Sequence, residues 1–169
     1  LLAQVDSSVG GKVGVNLPQG KNLVGAFYQP HLVAIDTDTL ATLPPRELRC
    51  GLAECVKHGV IRDPDLFAWI ESNLDAIVGL DSAALVELVT RNVAIKARVV
   101  MNDEKEIGER AHLNYGHTFA HALEAASLYT VRHGDAVALG LLAALRLSGL
   151  PTHVVETVLD PRPVAVDRE

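Results

Sequence analysis

The stretch LNYGHTFAHALEAASLY (113–129), followed by HGDAVALGLLAALRLSGL (133–150), decides how the chain is read. After Gly116, the residues His117, His121, Glu124 and Leu128 recur at i, i+4, i+7 and i+11 and so share one helical face. Phe119, Leu123 and Ala126 fall on the opposite face and supply the packing. A helix that packs through one side and carries two histidines and a glutamate on the other lines a cleft. Spacing alone leaves open whether that face meets a metal or solvent, and it pairs His117 with His121 as joint ligands. The second stretch is apolar nearly all round, which predicts a helix in the middle of the domain.

Upstream, Leu85, Leu88, Val89, Val93, Ala97 and Val100 form a stripe of 3.6 periodicity behind a cap at Asp81 or Ser82. Lys96 projects at the centre of this stripe, while Glu87, Arg91 and Arg98 take the far side. A buried lysine must reach water or meet an anion. Asn92, one turn earlier, favours a polar pocket. Thr42-Leu-Pro-Pro marks a helix start with Thr42 as N-cap, running to about Val60, and another helix is expected around 64–79. HLVAIDTDTL (31–40) reads as a buried strand reaching a loop, and residues 1–9 as the end of a helix. Five glycines between Val9 and Gly25 predict a tight, irregular segment. Its Gly10-Gly11-Lys12 offers N–H groups and an ammonium to a phosphate, although neither a P-loop nor a dinucleotide fingerprint is present. Glu54 with Lys57, and Glu106 with Arg110, have the spacing of surface ion pairs of little weight.

The 169 residues suffice for one well-buried domain, and 49% hydrophobic with 21% charged is ordinary globular composition. A net charge of −6 argues against a nucleic-acid partner. No apolar run approaches the roughly 18 residues that span a bilayer, and the start is no signal peptide, so no membrane partner is expected. Cys50 and Cys55 read as buried thiols of a cytoplasmic protein. Leu1 in place of methionine, and an uncapped opening helix, read as marks of a fragment.

Five segments together resemble the 3-dehydroquinate synthase family: LLAQVDSSVGGKVGVN, GKNLVGAFYQP, TLPPRELRCGLAECVKHG, IKARVVMNDEKEIGERAHLNYGHTFAHALE and HGDAVALG. They cover residues 1 to about 147 in order. The resemblance implies a mainly α, multihelical metal-binding domain of the dehydroquinate synthase fold. Short strand and loop elements left from an α/β nucleotide-binding domain precede it. The divisions are 1–44 for the end of the nucleotide domain, 45–150 for the helical metal and substrate domain, and 151–169 for an irregular, truncated tail.

By motif, the resemblance makes Glu54, His117 and His133 the ligands of Zn²⁺, with Co²⁺ as a possible substitute. It moves His121 from ligand to a catalytic, substrate-side histidine. Asp6, Lys12, Lys57, Lys96, Arg110 and Asn114 match residues that bind substrate or support catalysis, and Glu106 matches a further catalytic carboxylate. Lys12, Lys21, Asn22 and Thr39, Leu40, Ala41 and Thr42 match positions that touch NAD. The implied reaction converts the anionic sugar phosphate 3-deoxy-D-arabino-heptulosonate 7-phosphate to 3-dehydroquinate and phosphate. It is a lyase step of the shikimate pathway to chorismate and the aromatic amino acids. The full-length parent is expected to be a homodimer, and the fragment inactive alone. The rival readings are another sugar phosphate cyclase, a glycerol-type dehydrogenase, and a non-catalytic metal-binding remnant.

Overall fold

The computed structural model describes residues 1–159 and leaves out the side chains of Asn16, Lys21, Asn22 and Val154. Seven α-helices, one short π-helix, two 3₁₀ turns and one hairpin are present among the described residues. The hairpin pairs β1 (Lys12–Leu17) with β2 (Gly20–Phe27), antiparallel, with Leu17 opposite Gly20 across the Pro18-Gln19 turn. The irregular segment expected here is therefore a ribbon: Val13, Val15 and Leu17 alternate along β1, and Pro18 presets the turn. HLVAIDTDTL, in contrast, forms no strand. Residues 30–36 are coil with Leu32 exposed, and a 3₁₀ turn spans Thr37–Thr42. β1 and β2 pair only with each other, so no ladder partner is present for that segment among the described residues.

Helix α1 (Pro45–Arg62) is the axis of the domain. Pro44 takes the N-cap position and Pro45 the first turn, where a missing N–H costs nothing. Thr42 ends the preceding 3₁₀ turn and is not the cap. Every residue of α1 from Cys50 to Gly59 is buried. Helices α2 (Pro64–Ser72) and α3 (Leu74–Val78) divide the expected 64–79 helix at Asn73, whose side-chain amide donates to the Trp69 carbonyl. Helix α4 (Ser82–Asn102) is capped by Asp81, which accepts from Ala84 N at 2.9 Å.

Helices α5 (His117–Ala126) and α6 (His133–Leu147) pack on each other, and α6 crosses α1. Glycines permit these approaches. Gly116, at φ +80°, precedes α5, and a Cβ there would lie 2.9 Å from Leu141 N. A Cβ on Gly134 would lie 2.3 Å from Cys50 Cα. The tail expectation needs correction: α7 (His153–Leu159) is helical and buries Val155, Val158 and Leu159 against α6, α1 and α2. Its three apolar positions follow i, i+3, i+4, a pattern too short to stand out beside the late prolines. Residues 160–169 of that expectation lie outside the described residues.

The crossing at Gly134 is backbone against backbone, so it cannot relax by a rotamer change. Gly134→Ala should therefore destabilise the chain by about 1–3 kcal/mol through overpacking, despite its better helix propensity. Thermal unfolding measures this, and an unchanged or raised midpoint would contradict the crossing.

Candidate functional site

The middle of α1 carries Glu54 into the centre of the protein, fully buried. His117 is the first residue of α5 and His133 the first of α6, so two helix N-termini converge on one carboxylate. The Nε2 atoms of His117 and His133 each lie 3.4 Å from Glu54 Oε1. The two imidazoles face each other at 5.4 Å between ring centroids.

Neither Glu54 oxygen makes a hydrogen bond of good geometry. The spacing suits a shared ion instead: tetrahedral Zn²⁺ with bonds of roughly 2.0–2.1 Å has ligand–ligand edges of roughly 3.3–3.4 Å. The second nitrogens are also held. His117 Nδ1 lies 3.4 Å from the Tyr115 carbonyl and His133 Nδ1 3.4 Å from Glu124 Oε1. Such partners keep the proton on Nδ1 and leave the Nε2 lone pair to ligate a metal. Two neutral imidazoles and a carboxylate fit a divalent ion with an open position. Zn²⁺ and Co²⁺ both suit this set.

Burial alone would raise the Glu54 carboxyl. The Lys57 ammonium, an ion pair on Oε2, and the two imidazoles outweigh it and hold the group well below the usual range. This i, i+3 pair is thus buried on both sides, not the surface pair its spacing suggests. His133 is raised, first by its contact with Glu54.

Behind Glu54 lies a second polar layer. Asp6, Glu54 and His58 each bring a ligating atom within 4.8 Å of the others. Lys96 does not snorkel: its ammonium sits 2.5 Å from Asp6 Oδ1 and also donates to the Asp6 carbonyl. Desolvation lowers the Lys96 pKa, and Asp6 opposes that. His58 is fully buried with Nδ1 3.0 Å from Asn92 Oδ1, and Asn92 donates to the Leu88 carbonyl at 2.7 Å. His58 Nε2 has no partner among the described residues. Burial, and Lys57 next, push His58 down to about 4.

On the open side, Glu106 pairs with Lys12, and Asn114 donates to Glu106 Oε1 at 2.8 Å. Glu106 therefore does not pair with Arg110. The segment is no regular helix, and Glu106 adopts φ +59°. Arg110 is buried and donates to the carbonyls of Glu104 (2.6 Å) and Gly10 (2.8 Å), tying loop to loop. Burial lowers the Lys12 pKa first, then Arg110 and Lys96.

His121 is exposed and edge-on to His117, with centroids 5.5 Å apart. Spacing had paired those two as ligands, but the close trio is Glu54, His117 and His133. Thr39 Oγ1 donates to the Asp36 carbonyl and accepts from Gln4, Leu40 is buried, and Ala41 and Thr42 close that turn. Lys21 and Asn22 belong to β2, but their side chains lie outside the described set.

Two positions that organise the surroundings of the site escaped the sequence reading. Glu124 was placed on the histidine face but given no role. Asp103 organises the loop by accepting from the N–H groups of Ile107, Gly108 and Arg110. An aspartate ending a helix before a glycine-containing loop is the signal that could have found it.

A helical domain with two histidines and a glutamate around one open point is the arrangement of a metal-dependent enzyme. Its fold is that of the sugar phosphate cyclases. It resembles 2-deoxy-scyllo-inosose synthase, solved with carbaglucose-6-phosphate, NAD⁺ and Co²⁺, at a TM-score of 0.85 and 30% identity, over 99% of this chain and 49% of that one. It also resembles 2-epi-5-epi-valiolone synthase from Streptomyces hygroscopicus, solved with NAD⁺ and Zn²⁺, at a TM-score of 0.75 and 26% identity, over 94% and 52%. Residues 1–50 match the family described as 3-dehydroquinate synthase N-terminal, and 51–160 the one described as 3-dehydroquinate synthase C-terminal. The 3-dehydroquinate synthase of Pseudomonas fluorescens is 58% identical over 88% of this chain and 41% of its own length. That of Caulobacter vibrioides is 54% identical over 88% and 40%. The chain belongs to the 3-dehydroquinate synthase family. It spans about two fifths of the length of these curated relatives. No described helix is long and apolar enough to cross a membrane.

The two shifted histidines act in separate pH windows. His58 is depressed, so below pH 6.5 the unfolded chain binds a proton that the folded chain refuses until about 4. Stability of the metal-free chain should fall by about 2 kcal/mol from pH 7 to pH 5 on this account. His133 is raised, so its contribution is complete below pH 6.5 and lost as pH rises through its folded value. Urea unfolding of His58→Gln should show a flatter acid limb with the alkaline limb kept. An acid limb unchanged from wild type would contradict the assignment.

Proposed function

We propose that the chain is the metal- and substrate-binding part of a 3-dehydroquinate synthase, acting on 3-deoxy-D-arabino-heptulosonate 7-phosphate with Zn²⁺ and NAD. The observation that carries this is Glu54 Oε1 standing 3.4 Å from both imidazole Nε2 atoms, with cations gathered around it. Co²⁺ is an alternative ion on the same ligands.

When bound, Zn²⁺ supplies Lewis acidity at a substrate oxygen, and NAD a transient hydride acceptor. The chain's own residues do the rest. Glu54, His117 and His133 would hold the ion. Lys12 and Lys96 bring ammonium groups, and Asn114 an amide, to the substrate's carboxylate and phosphate. Arg110 already holds the Gly10 carbonyl, so it sets the height of the glycine-rich corner that carries Lys12. Glu106 pairs with Lys12 and must exchange that partner when an anion arrives. His121, exposed beside His117, has free access to move a proton between substrate and water. Thr39–Thr42, Lys21 and Asn22 are the proposed NAD contacts of this part.

Substrate choice separates this reading from the other cyclases. Calorimetric titration of the Zn²⁺-loaded chain with 3-deoxy-D-arabino-heptulosonate 7-phosphate should show binding at least about tenfold tighter than sedoheptulose 7-phosphate, which lacks the carboxylate. Lys96→Met should cost the heptulosonate roughly 2–5 kcal/mol, because one partner of a buried charge pair is lost. Equal affinity for the two sugars, or a Lys96→Met loss that merely tracks unfolding, would count against it.

A further inference from the structure

We propose that Glu124 is a positioning residue for the metal site, accepting from His133 Nδ1–H. The inference rests on the metal reading above and goes beyond it.

Four observations carry it. Glu124 is almost fully buried in the second turn of α5, on the same helical face as His117. One helix therefore contributes a ligand and, two turns later, the anchor of a different ligand. The imidazole of His133 is held between two buried carboxylates, with Nε2 3.4 Å from Glu54 Oε1 and Nδ1 3.4 Å from Glu124 Oε1. Its side chain is 35% exposed, against 12% for His117. A cleft of about 290 Å³, lined by Glu47, Glu124, Arg132 and His133, runs along its outer side. A ring with that much room needs a fixed point on Nδ1 if Nε2 is to keep facing Glu54.

A hydrogen bond from the His133 ring to the Glu124 carboxylate raises the basicity of the ligating nitrogen. His117 leans on a backbone carbonyl, which orients the ring but brings no net charge. The two histidines are thus not equivalent, and the His133 side depends on Glu124.

The test titrates the metal-free chain with Co²⁺ alone and reads the visible absorption bands. Wild type should bind one equivalent. Glu124→Gln keeps an acceptor and loses the charge, and should bind roughly 10-fold more weakly. Glu124→Ala loses both and should approach 100-fold, with a shifted band pattern. Melting of the metal-free Gln variant should match wild type. Wild type that binds no Co²⁺ overturns the metal reading and the inference together. Variants that bind within twofold of wild type overturn the inference alone. So does weak binding confined to an Ala variant that melts early while Gln binds normally, because that is the signature of a merely structural role.

Discussion

Everything in this domain is arranged around one buried carboxylate. Glu54 lies at the centre of α1 with no access to solvent. A carboxylate in such a place costs several kcal/mol unless cations and hydrogen-bond donors compensate it. The structure brings Lys57 from the same helix and one histidine from the start of each of α5 and α6. For both helices to arrive there, their backbones must touch neighbours closely. Gly116 against Leu141, Gly140 against Gly116 and Gly134 against Cys50 are contacts that allow it. Fold and site therefore impose the same constraint, since displacing any of these glycine contacts displaces a histidine.

The polar interior is layered. Next to Glu54 stands the ligand trio, behind it the Asp6–Lys96 pair and the His58–Asn92 pair, and toward solvent Lys12, Glu106 and Asn114. Lys57 is paired with Glu54 and Lys96 with Asp6, while buried Arg110 donates to the carbonyls of Glu104 and Gly10. These partners keep the buried cations apart from one another. Arg110 and Asp103 fix the loops that hold the outer layer, through backbone carbonyls and N–H groups.

Much of this was legible in the sequence wherever a single period dominates. Helices α4, α5 and α6 follow from apolar stripes, and Lys96 stood out because it interrupts one. Their caps were legible too, as Asp81 shows. The hairpin was not, because five glycines mask the alternation of Val13, Val15 and Leu17. Nor was the centrality of α1. Its segment GLAECVKHG carries a glutamate, a lysine and a histidine, which on any isolated helix belong at the surface. The surroundings of Glu54 depend on groups more than sixty residues away, His117 and His133, and no local rule reports that. For the same reason Glu106 finds Lys12 and Asn114, where its spacing pointed to Arg110. The family resemblance reached the ligand trio only because it compares whole motifs. It assigned no role to Glu124, whose meaning depends on distance.

The central claim is that one divalent ion belongs on Glu54, His117 and His133, and diffraction locates it directly. Crystals of the chain grown with Zn²⁺ and measured on both sides of the zinc absorption edge should give one strong anomalous peak. It should lie roughly 2.0–2.2 Å from Glu54 Oε1, His117 Nε2 and His133 Nε2. No peak there, or a peak on the Asp6–Glu54–His58 side instead, would contradict the account.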